Sequence, residues 1–289
     1  MATVRTVRKL MLGREIEHMM KSAGKSPADL ADILGTSRSR VGQLLSGQGL
    51  VSVGDLERLA NQLGFSDADY HAALFALQKD NHKRGFWNTG YRRAYIHELR
   101  LRVDIEMHAD RIREFEVEVV PGLLQCPDYV RAFYAGMPET EGLTLDDEVE
   151  ARVARQDIFG KESPPNVHFV LSESCLRRVW CDELTMITQL EYMIALSQRE
   201  NVMIQVLPFN RPVGRRTPIG NRFTLLRIPA VGVAGPLELA YTEGRGEIRY
   251  LDDVDALTAY DNAWTRLSTA SLTFDETRSF LHEMIKECR

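Results

Sequence analysis

The sequence contains no long apolar run and no leader-like segment. No stretch approaches the ~18 consecutive apolar residues that a membrane helix needs, and residues 1–13 lack the apolar block of a signal peptide. These absences argue against a membrane-spanning or a secreted protein. We therefore expect a cytoplasmic protein that has no membrane partner.

Cysteine is also scarce, and its spacing fits no metal site or disulfide framework. The four cysteines are Cys126, Cys175, Cys181 and Cys288, and no two of them form a C-x-x-C pair. The seven histidines are scattered without the spacing of metal ligands. The sequence predicts reduced thiols, no metal site and no cofactor.

Catalytic motifs are absent as well. The chain has no nucleophile elbow, Walker loop or H-E-x-x-H, and its G-x-G at residues 244–246 lies between two predicted strands, as in a hairpin turn. His168, followed by Glu173, leaves an acid–base pair open, although a half-buried histidine with satisfied hydrogen bonds is the favoured interpretation. We expect no enzyme, and a C-terminal pocket without clustered carboxylates, histidine or cysteine would exclude that alternative.

The distribution of charge is more informative than its sum. The 289 residues have a net charge of −5, and their length suggests about two domains. Residues 1–40 hold eight Lys or Arg and four Asp or Glu, a net charge of +4, whereas residues 83–289 hold 26 basic and 32 acidic residues. Basic charge is therefore concentrated in the N-terminal region, which favours a nucleic-acid partner there. A basic excess this small implies few phosphate contacts, so a monomer would bind DNA weakly. We therefore expect a dimer.

Residues 26–47 have the pattern of two short helices joined by a tight turn, S-P-A-D-L-A-D-I-L-G-T-S-R-S-R-V-G-Q-L-L-S-G. Ser26 is suited to cap the first helix. Gly35 is suited to a left-handed residue that ends it. Either Thr36 or Ser37 then caps the second helix.

The second helix, predicted from Ser37 to Ser46, has one apolar and one polar face. Val41, Leu44 and Leu45 share the inner face. Four polar residues lie on the outer face: Arg38, Ser39, Arg40 and Gln43. Arginine pairs with guanine and glutamine with adenine, so this face is predicted to read base edges of double-stranded DNA. The alternative is an ordinary helical hairpin with a solvated face.

This segment resembles the helix-turn-helix of the Cro and lambda-repressor type. Ala31, Gly35, Val41 and Leu44 occupy that family's pattern positions, and Ser46-Gly47 match the end of its second helix. The resemblance implies that five residues face DNA: Arg38, Ser39 and Gln43 toward bases, and Ser37 and Arg40 near phosphate or bases. One departure is Pro27, which stands where some members have a glutamine that contacts phosphate.

Helical periodicity predicts an all-α DNA-binding domain over residues 1–80. Its five helices include the pair above, and the other three are predicted at Leu12 to Ser22, Val53 to Leu63 and Ser66 to Gln78. Residues 1–11 are polar and basic. They are predicted to form a flexible arm, in which Arg5, Arg8 and Lys9 follow a phosphate backbone, or the lead-in to the first helix.

A linker at residues 81–95 and a larger α+β domain at residues 96–289 complete the predicted fold. The linker carries Phe86, Trp87 and Tyr91, which favour docking onto the second domain over stacking on nucleic acid. Six strands are predicted, at 112–120, 167–171, 202–207, 222–228, 237–241 and 248–251. Their spacing predicts a mostly antiparallel sheet with helices packed on it.

A second resemblance covers residues 86–289. Four segments resemble the C-terminal domain of the WhiJ-like regulators of actinobacteria: Val119 to Ala132, Leu171 to Arg178, Asn201 to Phe209 and Gly220 to Leu226. The resemblance implies a transcriptional regulator, often encoded beside a small acidic partner protein and described as antitoxin-like. Cys126 departs from the family, which usually has threonine there.

The loop at residues 210–221 is rich in glycine and proline and is cationic. Arg211, Arg215 and Arg216 are predicted to meet an acidic partner surface or an anionic small-molecule effector. A solvated hairpin loop is an equal alternative.

Together these features predict a homodimeric, sequence-specific transcriptional regulator. It would present two copies of the Ser37 to Ser46 helix to a near-palindromic operator. A partner protein or ligand at the second domain would modulate DNA binding. The alternative is an antitoxin-like interaction module that sequesters a small acidic partner, with DNA binding secondary.

Overall fold

The computed structural model describes residues 5–79, 94–95, 97–137, 142–211, 221–244 and 247–288. These residues form helices and one six-stranded sheet, which makes the protein α+β. The helices are α1 Val7–Ser22, α2 Pro27–Leu34, α3 Arg38–Leu45, α4 Val53–Gln62, α5 Ala68–Lys79, α6 His97–His108, α7 Pro127–Ala135, α8 Leu145–Ala154, α9 Ser174–Arg177, α10 Glu183–Leu196, α11 Val254–Ala270 and α12 Phe274–Glu287. The strands are β1 Arg111–Glu116, β2 Asn166–Ser172, β3 Val202–Leu207, β4 Phe223–Ile228, β5 Leu237–Gly244 and β6 Glu247–Leu251.

The described residues divide into two compact units that are not simply consecutive in sequence. The first unit contains residues 5–79, helix α6 and the segment Ile228–Leu237, which we name the β4–β5 segment. The second unit contains the other described residues. The predicted second domain, residues 96–289, includes α6 and the β4–β5 segment, whereas in the structure both group with residues 5–79.

Five helices, α1 to α5, lie within residues 5–79 and enclose an apolar core. The largest fully buried side chains there include Met19, Leu30, Leu56, Leu59 and Leu74. Their helical spacing is what predicted these helices, because residues three or four apart share a face. The core therefore forms as the pattern indicated.

Helix α1 begins at Val7, five residues earlier than predicted. Residues 7–11 therefore belong to the helix, and the prediction of a flexible arm is wrong for them. The Thr6 hydroxyl caps the helix by accepting the Lys9 N–H at 3.3 Å. Lys9 itself is buried, and burial lowers the pKa of its ammonium group. Arg5 donates from Nε to the Ser46 carbonyl at 3.0 Å. These side chains are engaged within the unit.

The sheet of the second unit is mixed, with the strand order β3-β2-β1-β4-β5-β6. The predicted antiparallel pairing holds for β1 with β4 and for β5 with β6. It is wrong for β1 with β2 and for β2 with β3, which are parallel. Parallel neighbours need a long crossover, and α7 with α8, and then α10, supply the two crossovers.

One face of the sheet packs against α11, and the β3 edge is closed by the chain around α12. Phe115 and Phe223 of the sheet form a core cluster with Trp264 and Leu267 of α11. At the edge, the Thr277 hydroxyl accepts the Val206 N–H at 3.2 Å. Pairing the free backbone groups of an edge strand in this way protects it from association with another chain.

Candidate nucleic-acid interface

The first helix of the predicted pair, α2, is held at its start by a reciprocal cap. The Ser26 hydroxyl accepts the Asp29 N–H at 3.4 Å, and the Asp29 carboxylate accepts the Ser26 N–H at 2.7 Å. Hydrogen bonds from the Ser26 hydroxyl and N–H lower the pKa of Asp29. Pro27 occupies the first helical position, as predicted.

The turn between α2 and α3 depends on Gly35. This residue has φ 61° and ψ 41°, the left-handed conformation that a residue without Cβ adopts readily. After the turn, Thr36 donates its N–H to the Ala31 carbonyl at 2.9 Å. Ser37, and not Thr36, is the cap of α3, because its hydroxyl accepts the Arg40 N–H at 3.3 Å.

The inner face of α3 is buried against α1. Val41 and Leu44 are buried in the first unit. Gly13 of α1 lies so close that a Cβ there would stand 2.6 Å from the Leu45 carbonyl oxygen and 2.7 Å from that of Leu44. Helix α1 therefore sets the position of α3, because the two backbones are in direct contact at Gly13.

The outer face of α3 is exposed in the described structure. Ser37, Arg38, Ser39, Arg40 and Gln43 are all exposed. Within the part of the chain that the structure describes, neither Arg38 nor Arg40 forms an ion pair. The five predicted residues thus share one exposed surface, which we name the α3 surface.

A buried carboxylate on α1, that of Glu15, binds groups from distant parts of the chain, and the sequence did not indicate it. Glu15 is fully buried. Its carboxylate accepts the Tyr70 hydroxyl at 2.8 Å and the N–H groups of Val233 and Ala234 at 3.1 and 3.2 Å. Burial, and then the bond to Glu15, raise the pKa of Tyr70, so its hydroxyl stays a proton donor. These partners lie 55 to 219 residues away in sequence, so no local signal marked them.

The β4–β5 segment and α6 therefore both hold α1. Arg14 donates to the Pro236 carbonyl at 3.0 Å. Gly232 approaches Glu15 so closely that an added Cβ would lie 2.7 Å from its carboxyl carbon. From α6, the Asp104 carboxylate accepts the Val7 N–H at 2.7 Å, at the start of α1. The helix that seats α3 is thus fixed by segments from much later in the chain.

Comparison with known protein families matches two different models to two parts of the chain. A family model described as a domain of unknown function, DUF5753, matches residues 99–283. The chain belongs to the DUF5753 family. A second model, described as a helix-turn-helix domain, matches residues 11–73, which contain α2, α3 and their turn. The helix-turn-helix domain indicates a DNA-binding regulator.

Two other comparisons returned nothing. No curated protein matches the chain, and no solved structure matches it. The resemblance to WhiJ-like regulators therefore stays a prediction. Among the described residues, no helix is long and apolar enough to cross a membrane.

Of the three arginines predicted to bind a partner, the described part of the DUF5753 region contains one. Arg211 donates to the Ser271 carbonyl at 2.6 Å and lies 3.5 Å from the Glu276 carboxylate. It therefore contacts the start of α12, and 37% of its side chain stays exposed. Arg215 and Arg216 lie outside the described residues. A partner-binding role for the three stays a prediction.

His168 and Glu173 of the DUF5753 domain have separate partners. His168 Nε2 lies 2.8 Å from Gln205 Oε1, and its ring packs edge-on against Trp264 at 4.9 Å. Burial lowers the pKa of His168. Glu173 accepts the Phe209 N–H at 2.8 Å. This is the satisfied, half-buried histidine that the sequence favoured.

The cysteines of the DUF5753 domain are free thiols. Cys126 and Cys175 are buried, and burial raises the pKa of both. Burial also raises the pKa of Cys181 to about 11. A raised pKa disfavours the thiolate, which is the reactive form. Across the described ranges, no three His, Cys, Asp or Glu residues are grouped so that they could hold a metal ion.

Proposed function

We propose that this protein is a sequence-specific, homodimeric transcriptional regulator of the WhiJ-like type that reads a near-palindromic operator through α3. The observation that carries the proposal is the α3 surface, where Arg38, Ser39, Arg40 and Gln43 are exposed together. Guanidinium and amide groups are those that recognise base edges in the major groove. A ligand or partner at the DUF5753 domain would modulate binding.

The arrangement of charge around α3 supports this proposal. An exposed arginine in a structural role commonly faces a carboxylate, as Arg58 does with Asp55 on α4. Arg38 and Arg40 face none among the described residues, so binding a phosphate or a guanine would not require an existing ion pair to break. Ser37 also retains its hydroxyl proton while it caps α3, and can donate it to a phosphate oxygen.

The dimer is proposed because one copy of α3 offers few phosphate contacts. Counterion release scales with the number of phosphates neutralised, so a monomer with two or three such contacts binds weakly at physiological salt. Two copies set about 34 Å apart would read successive major-groove faces. Sedimentation of the full chain with and without operator DNA measures the stoichiometry, and one protomer per operator would contradict the proposed dimer.

Fluorescence anisotropy of the full chain on the DNA upstream of its own gene tests the reading surface. Replacing Arg38 or Gln43 by alanine should weaken specific binding by ~1–3 kcal/mol, or about 5- to 150-fold, and relax selectivity at one base pair. Arg131→Ala, which removes an exposed arginine on α7 paired with Asp146, is the matched control and should bind like the wild type. Unchanged binding by both α3 variants would show that this face does not read DNA.

A second candidate function, the antitoxin-like interaction module, is favoured by one observation. Val179 and Leu184 are 87% and 77% exposed, and Trp180 beside them is 38% exposed. Clustered exposed apolar side chains commonly mark protein-binding surfaces, and Arg177 and Arg178 adjoin them. If partner capture is the main role, Leu184→Ser should abolish binding of the neighbouring gene product, measured by calorimetry, while DNA binding without that product stays weak.

A further inference from the structure

A cleft of about 610 Å³ lies in the second unit between the sheet and the first half of α11. Its walls come from β1, β4 and β5 on one side and from residues 254–262 of α11 on the other. The second half of α11 packs tightly on the sheet through Ala263, Trp264 and Leu267. The cleft is thus a gap at one end of an otherwise closed interface. Its volume is in the range of small-molecule sites, ~300–1,000 Å³.

Three arginines project from the strands into this cleft. Arg111 of β1 and Arg227 of β4 are direct cross-strand partners in an antiparallel pair. Arg113 lies two residues from Arg111 and therefore on the same face. Like charges that stand directly opposite each other destabilise a sheet. Here each of the two arginines is paired with a carboxylate, Arg111 with Glu238 and Arg227 with Asp110, which offsets this repulsion and keeps both guanidinium groups at the cleft.

Carboxylates near the arginines use only part of their donor capacity. Glu238 accepts from Arg111 at 2.9 Å and lies 3.9 Å from Arg227 Nε, and Arg227 is also paired with Asp110. Asp261 of α11 accepts from Arg113 at 2.6 Å. Each guanidinium has five N–H donors, and the buried Nε of Arg113 has no hydrogen-bond partner among the described residues. Donors therefore remain for a ligand.

The inner end of the cleft is apolar. Leu225 belongs to the core cluster of the sheet, and Leu257 of α11 packs against that cluster. Val254, at the start of α11, also lines the cleft, and its side chain is 77% exposed. A molecule that fits this lining needs an apolar body as well as an anionic group.

We propose that the cleft binds a small organic anion, with a carboxylate or phosphate group held by Arg111, Arg113 and Arg227 and an apolar body against Leu225 and Leu257. Guanidinium matches both head groups in a bidentate geometry. The ligand would compete with Glu238, Asp261 and Asp110 for the guanidinium donors.

The consequence of binding for DNA rests on the function proposed above. The two strands that carry Arg227 and Glu238 are joined in sequence by the β4–β5 segment, whose N–H groups bind Glu15 of α1. Helix α1 in turn contacts the backbone of α3. A ligand that alters the ends of β4 and β5 therefore shifts the equilibrium of the segment that holds the reading helix, provided that it binds one arrangement better than another.

Calorimetry on the full chain tests the cleft without reference to DNA. The probes are 4-phenylbutyrate and phenyl phosphate, with 4-phenylbutan-1-ol as the neutral analogue and inorganic phosphate as the head group alone. We expect a Kd of about 1 mM or tighter for at least one organic anion, and binding at least about tenfold weaker for the alcohol and for inorganic phosphate. Failure of both organic anions to bind, or equal binding of either control, overturns the proposal.

Matched variants locate the binding. Arg111→Gln and Arg227→Gln should each weaken anion binding by at least about tenfold. Arg249→Gln removes an exposed arginine on β6, outside the cleft, and should leave binding unchanged. Far-UV circular dichroism checks that each variant is folded. Equal weakening by Arg249→Gln, or no weakening by the cleft variants, places the anion elsewhere and refutes the assignment.

The same probe tests the link to DNA. Saturating 4-phenylbutyrate should change the DNA affinity of the wild type by at least about threefold and leave that of Arg111→Gln unchanged. An unchanged wild-type affinity refutes the link while the calorimetry still decides the cleft. If the chain binds no DNA at all, the proposed function fails, and the calorimetric result again stands alone.

Discussion

The contact between α1 and α3 predicts opposite effects for the same substitution at two glycines. Gly13→Ala places a Cβ 2.6 and 2.7 Å from the backbone oxygens of Leu45 and Leu44. Gly42→Ala, on α3, places a Cβ that, beyond its chain neighbours and the backbone of its own helix, has no described atom within 4 Å. Both glycines lie inside helices, so both variants gain the same intrinsic helix propensity, and only the first meets another backbone.

The magnitudes follow from these distances. Replacing an exposed helical glycine by alanine stabilises a helix by ~1 kcal/mol, which is the effect expected for Gly42→Ala. At Gly13 the same gain is opposed by overpacking, which typically costs ~1–3 kcal/mol. The carbonyl oxygens belong to α3 itself and cannot rotate away as a side chain can, so the upper part of that range applies. We expect Gly13→Ala to destabilise the first unit by ~1–2 kcal/mol.

Hydrogen exchange of the α1 and α3 amides is the suitable assay, because a chain of two units need not unfold in one step. Chemical denaturation followed by far-UV circular dichroism gives the global free energy of unfolding as a check. Gly13→Ala should reduce protection of these amides and also weaken DNA binding, since α3 moves away from α1. If Gly13→Ala proves as stable as Gly42→Ala, the close approach of the two helices is wrong.

Two further predictions concern the contacts of Glu15 and the titration of His168. Gly232→Ala brings a Cβ against the Glu15 carboxylate, so exchange of the Val233 and Ala234 amides should become faster while secondary structure by circular dichroism stays the same. Burial lowers the pKa of His168, so its neutral form stabilises the folded state above the ordinary pKa of ~6.5, and this contribution is lost as pH falls through the folded-state pKa. The free energy of unfolding should therefore decrease between about pH 7 and pH 5, and His168→Gln should flatten that slope; an unaltered slope would mean that another group titrates.

The helix-turn-helix was predictable because the interactions that form it are local. Ser26 and Ser37 cap the helices that directly follow them. Gly35 adopts the left-handed conformation that the turn needs, which is a property of the glycine itself. The apolar positions of α3 repeat with the helical period. The α3 surface was therefore identified residue by residue, including its five polar positions.

Other features depended on contacts that are distant in sequence. Helix α1 begins at Val7, and not at Leu12, in part because Asp104 binds its first N–H from 97 residues away. Strand positions were recognisable from alternation, but parallel pairing of β1, β2 and β3 follows from how the crossover helices pack. The polar sequence of residues 1–11 looked like an arm because nothing local shows that Lys9 becomes buried.

By itself, the sequence determined that two short capped helices meet at a glycine turn and expose arginine and glutamine, since neighbouring residues specify caps, turns and helix faces. Only the tertiary structure decided what holds that pair in place. The Glu15 carboxylate accepts the N–H groups of Val233 and Ala234, which lie more than 200 residues later in the sequence. The tertiary structure also decided that Arg111, Arg113 and Arg227 line one cleft, because strand register is a property of the folded sheet and of no single segment.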